Sequence, residues 1–124
     1  MRPIGYWAKE LDRRLEAEFE RRLGGAGVTR RQWQVLNVLP APADEVDREM
    51  APFLSSAAEL LDGLVDRGWA RRGEVVELTG AGFAAREAIG AEVAGLRAKA
   101  ADGIGDADYL VAVRTLERMV ANLE

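Results

Sequence analysis

A chain of 124 residues, 48% of them hydrophobic, is enough for one compact domain with its own core and too short for two ordinary ones. It has no cysteine and no histidine, which excludes disulfides, thiol redox sensing, the usual zinc and copper sites and every Ser-His-Asp or Cys-His catalytic arrangement, so no metal, cofactor or enzymatic activity is expected. The formal charge of −4, from 17 basic and 21 acidic residues, provides no overall field for a polyanion, and any nucleic-acid binding has to come from a local patch.

The N-terminal stretch "MRPIGYWAKELDRRLEAEFE" turns charged before a signal-peptide apolar region could form, and no segment approaches a membrane span. The expectation is a cytoplasmic protein with no membrane partner. From Pro3 to Leu23 the residues Ile4, Trp7, Leu11, Leu15, Phe19 and Leu23 recur at three- and four-residue steps, which predicts a long amphipathic helix stopped by Gly24-Gly25. Thr29 and Gln32 form a T-x-x-Q capping box for the next helix, with Val28 placed as a staple against Trp33. That helix is expected to carry Trp33, Leu36 and Leu39 inward and to end at Pro40.

In "DEVDREM", Asp44 is the expected N-cap of a two-turn helix that buries Val46 and Met50. After a break at Ala51-Pro52, Ser56 and Glu59 read as a second capping box, opening a helix with Leu60, Leu61, Leu64 and Val65 on its core face and Gly68 as a left-handed C-cap. Short helix, turn, longer helix is the helix-turn-helix layout. "WARRGEVVELTGAG" then predicts a small β-hairpin turning at Arg72-Gly73. Thr79 caps a long helix containing Phe83, Ile89, Val93 and Leu96, which fades at the loop Gly103, Gly105, Asp106. The last helix sets Leu110, Val113, Leu116, Val120 and Leu123 at near-heptad spacing, a stripe that requires a covering surface. A symmetric dimer in which the first and last helices interleave supplies it, with Ile4 on the same interface; the alternative is that both helices fold back onto their own core.

With "TRRQWQVLNVL", "LLDGLVDRGWARR" and "VELTGAGFAARE" in this order, nearly the whole chain resembles the MarR family of winged helix-turn-helix transcriptional regulators. The resemblance implies a mainly α fold with a small β-hairpin, a single domain over 1–124 in which 3–23 and 80–123 form the dimerisation region and 29–79 the winged helix-turn-helix lobe. It also implies a homodimer on double-stranded DNA and a small aromatic or apolar effector held where the first two helices meet, which here places Trp7, Leu11, Trp33 and Leu36 around the pocket.

The departures lie in the DNA-reading parts. The first half of the family's recognition helix is rich in Ser, Thr and Arg, and here the stretch is "LSSAAE": Ser55 and Ser56 remain, and Glu59 stands at a position the family gives to a polar or basic residue. Glutamate can accept from cytosine but is repelled by phosphates. From Ala43 to Trp69 the acids Asp44, Glu45, Asp47, Glu49, Glu59, Asp62 and Asp66 stand against Arg48 and Arg67, a net −5. The wing, joined by "RRGE" alone, has arms of roughly 10 Å, a short reach for Arg71 and Arg72. Arg30 and Arg31 are the remaining candidates for phosphate contact.

Two functions fit: a MarR-type regulator reading a short palindrome, and a winged-helix dimer that has lost most DNA reading and serves as a protein-binding adaptor or small-molecule module.

Overall fold

The computed structural model describes all of residues 1–124. Helix α1 spans Ile4–Leu23 and is followed by a 3-10 turn at Gly24–Ala26; α2 spans Arg30–Val38, α3 Ala43–Met50 and α4 Ala58–Asp66. Strands β1 (Ala70–Arg71) and β2 (Glu77–Leu78) form an antiparallel hairpin, and α5 (Gly80–Ala100) and α6 (Asp106–Asn122) complete the chain. The fold is mainly α with a small hairpin, as the periodicities predict.

The core is assembled where α1, α2, α4 and α5 converge. Phe19 and Leu23 from the second half of α1 meet Ile89, Val93 and Leu96 of α5, with Val35, Leu36, Leu61 and Leu64 beneath them. Polar side chains tie the same two long helices together on the outside. Glu18 receives Arg21 and Arg22 from its own helix and Lys99 from α5 at 3.3 Å, and these cations hold its carboxyl down to about 2.

Several local expectations change. The capping box at Thr29 is present in both directions, Gln32 N donating to Thr29 Oγ1 at 3.1 Å and Thr29 N to Gln32 Oε1 at 3.0 Å. Along α2 and its C-cap, Leu36 and Leu39 turn inward as expected and Val35 is buried with them, whereas Trp33 is half-buried, its ring lying over Gly90 of α5. The N-cap of α3 is Pro42 rather than Asp44: its carbonyl already accepts from Glu45 N and Val46 N, and its ring fixes the extended entry. Leu60 and Val65 are half-buried, and Phe83 is exposed.

The Ser56–Glu59 capping box does not form. Helix α4 starts one residue later, with Ala57 at its N-cap, because Ala57 is fully buried and its N–H is claimed by Asp47 Oδ1 of α3 at 2.8 Å. Ser56 Oγ accepts from Ala58 N at 3.2 Å instead. Asp47 therefore performs the capping service from the preceding helix and locks α3 to α4. Asp47→Ala is expected to cost about 0.5–2 kcal/mol, the range for a lost cap, and Asp47→Asn to restore most of it in thermal denaturation. Equal melting temperatures for wild type and Asp47→Ala would contradict this role.

The hairpin turn is also longer than expected. Arg72 to Val76 separate the strands, in place of a two-residue turn at Arg72-Gly73, because Val76 pairs with Ala41 through N···O distances of 2.8 and 3.1 Å. This bridge adds a short third partner to the sheet and draws the loop back onto the domain.

The two terminal helices behave differently from the rest. The stripe of α1 is buried at Phe19 and Leu23 but bare at Ile4, Trp7 and Leu11, and no residue of α6 is buried at all. Helix α6 does not fold back onto the core.

Candidate nucleic-acid interface

Helices α3 and α4 and the β1–β2 hairpin define a winged helix-turn-helix. The turn ends at Leu54, whose half-buried side chain packs against the core, and the following Ser55 and Ser56 are exposed at the leading end of α4. Ala58 and Glu59 are exposed beside them, while Ala57 points inward. Ser55, Ser56 and Glu59 are thus brought together on one accessible edge.

The cations around this edge are all engaged within the chain. Arg71 binds Glu77 across the hairpin at 3.0 Å, and Arg72 pairs with Asp62 of α4. Arg30 reaches back to α1, to Asp12 at 2.8 Å and Glu16 at 3.6 Å. Arg31 donates to Gln34 Oε1 at 2.9 Å with its guanidinium 4.5 Å above the Phe53 ring. Arg48 holds Asp44 at 3.1 Å and lowers its pKa; Arg67 donates to the Gly27 carbonyl and lies over Trp69. Exposed pairs of this type contribute about 0–1 kcal/mol each, so a phosphate can replace the carboxylate, but each exchange leaves an acid unpartnered near DNA. Glu45, Glu49, Glu59 and Asp66 carry no compensating cation in these pairs, so the negative balance legible in the sequence is present on the folded surface.

The four residues of the expected effector site are not gathered. Trp7 and Leu11 lie on the bare half of α1, and Leu36 is fully buried in the core. Trp33 alone lines a cleft, of about 400 Å³, together with Asn37, Val38, Glu49, Met50, Phe53 and Arg97. These residues come from α2, α3, the helix-turn-helix turn and α5, so no local pattern in the chain could have marked them as neighbours. A second cleft of about 450 Å³, beside Ser56 and Glu59, is lined also by Thr29, Arg31, Leu54 and Leu60. The interface candidates Ile4, Leu110, Val113, Leu116, Val120 and Leu123 are all exposed in the single chain.

No family sequence model and no curated protein sequence matches the chain. Among solved structures it is similar to transcriptional regulator PA3341, at 26% identity over 98% of both chains with a TM-score of 0.82. It is similar also to CouR from Rhodococcus jostii RHA1 bound to p-coumaroyl-CoA, at 21% identity over 94% of this chain and 91% of that one (TM-score 0.85). The Mycobacterium tuberculosis MarR family protein Rv2887, solved in complex with DNA, matches at 23% identity over 96% of this chain and 98% of its own (TM-score 0.77). The chain has the MarR-type winged helix fold along nearly its whole length. No helix is long and apolar enough to cross a membrane.

Proposed function

We propose that this chain is a DNA-binding transcriptional regulator, working as a homodimer in which 3–23 and 80–123 form the shared region and 29–79 each reading lobe. What carries the proposal is the accessible Ser55–Ser56 edge at the head of α4, in a fold shared end to end with transcriptional regulators, one of them solved on DNA. In a helix-turn-helix the N-terminal residues of the second helix meet base edges, and a two-fold dimer sets two such helices about one DNA turn apart. Arg71 and Arg72 serve the backbone, exchanging Glu77 and Asp62 for phosphates.

The test is fluorescence anisotropy with duplex DNA from upstream of the gene, at about 50 and about 200 mM salt. Binding is expected to weaken steeply with salt, and Arg71→Ala and Arg72→Ala each to flatten the slope by about 1 while weakening all sequences alike. Asp62→Asn is expected to do the opposite, tightening binding because Arg72 is released and one repelling charge is gone. The second reading, an adaptor or small-molecule module without DNA binding, is favoured by the acidic α3–α4 surface. Absence of binding at low salt to any duplex would select it.

The regulator reading extends to an effector, an aromatic or apolar compound seated against Trp33 and Phe53 in the cleft between α2, α3 and α5, whose volume is at the lower end of small-molecule sites. Such a compound would act by preferring one arrangement of the two lobes, and only its differential affinity would shift DNA binding.

A further inference from the structure

We infer that Glu59 is the base-selecting residue of α4 and that it selects cytosine, an inference that rests on the DNA reading proposed above. Glu59 occupies the first turn of α4 and is exposed beside Ser56. Asp44 and Asp62 are paired with Arg48 and Arg72, whereas the Glu59 carboxylate has no hydrogen-bonding or ionic partner in the chain. It is therefore free to meet a base edge without breaking an internal contact.

Its chemistry is narrow. A carboxylate only accepts, and in the major groove cytosine presents the N4 amino group at the outer end of its pair, with an acceptor, the paired guanine's O6, on one side only. Adenine presents its N6 donor next to the N7 acceptor, guanine presents N7 and O6, and thymine presents O4. Cytosine is thus attracted and the other three bases are repelled wholly or in part, so selection comes as much from the rejected bases as from the chosen one. Serine hydroxyls suit either donor or acceptor, and Ser56 Oγ, which accepts from the Ala58 N–H, keeps its own O–H to donate, so the serines can add contacts without dictating one base. The nearby guanidiniums each have a partner already: Arg48 has Asp44, Arg67 the Gly27 carbonyl and the Trp69 ring, Arg72 has Asp62, and Arg31, which lines the same cleft as Ser56 and Glu59, has Gln34 and the Phe53 ring, so a guanine contact has first to break one of these, whereas Glu59 breaks none. The partial positive charge at the helix N-terminus offsets part of the repulsion between Glu59 and the flanking phosphates.

The experiment is selection from a random duplex library with the full-length wild type, Glu59→Gln and Glu59→Ala, followed by anisotropy on the selected sites. The wild type is expected to enrich a symmetric sequence with cytosine at one fixed place in each half-site, and to lose roughly 5- to 150-fold in affinity when that base is changed. Glu59→Gln should move the preference there to adenine, through paired bonds to N6 and N7, and Glu59→Ala should accept any base. Identical selected sequences for all three proteins would overturn the role of Glu59 and leave DNA reading intact. Enrichment of no sequence by any of them would overturn both.

Discussion

Val113→Glu combined with Val120→Glu is expected to convert the protein to monomers or to insoluble material in sedimentation velocity. Helix α6 and its C-cap present Leu110, Val113, Leu116, Val120 and Leu123 at exposures of 46, 43, 41, 62 and 88%, none of them buried within the single chain. Fully covering an aliphatic side chain of this size contributes about 1.5–3 kcal/mol, and with about half of each still to cover, five on each of two copies contribute roughly 8–17 kcal/mol, of the same order as the roughly 4–15 kcal/mol cost of association. The double substitution removes two apolar contacts per copy and places four carboxylates in the proposed interface. Most of a helix's stability in a protein comes from packing of its apolar face, and α6 has no such packing within its own chain, so loss of the partner should also lower helix content measured by circular dichroism. A soluble dimer of normal helicity would show that α6 is not the closing surface.

The second large effect is expected at Gly82, where replacement by alanine should lower the melting temperature by roughly 5–15 °C, corresponding to about 1–3 kcal/mol of overpacking. Gly82 is buried in the first turn of α5, and a Cβ built on it would lie 2.9 Å from the Trp69 carbonyl carbon and closer still to its oxygen. Backbone cannot step aside as a side chain can. The Trp69 carbonyl is held by Thr79 N at 3.0 Å, and Thr79 Oγ1 both accepts from Gly82 N and donates to the carbonyl of Gly68. Gly68 itself has φ +79°, the left-handed turn that ends α4. The strain therefore falls on the node joining α4 to α5. Gly80 provides the control, because a Cβ there meets nothing within 4 Å, and Gly80→Ala should be neutral or mildly stabilising. Equal melting temperatures for the two variants would refute the close-approach argument.

These sites show how unevenly the structure was legible in the sequence. Helical periodicity located α1, α2, α4, α5 and α6, and the glycine at position 68 and the Thr29–Gln32 box marked the end of α4 and the start of α2, because each of these devices acts within a few residues. The misplaced features depend on partners elsewhere in the chain. Asp47 satisfies the start of α4 from ten residues away, and Ala41 captures Val76, so neither the Ser56–Glu59 motif nor Arg72-Gly73 decides its own local geometry. The acidic balance of α3 and α4 was countable residue by residue, but the pairing of Arg71 with Glu77 and Arg72 with Asp62 required the fold. The cleft was hidden for the same reason, since Trp33 and Arg97 share no local pattern.

The attachment of Arg30 has a mechanical consequence. It stands at the first position of α2 yet is anchored on Asp12 and Glu16, midway along α1, immediately beyond the bare half that the partner copy is proposed to cover. In the dimer proposed above, a change in how two such arms cross would reach the root of α2 through this guanidinium as well as through the core that α1 and α2 share.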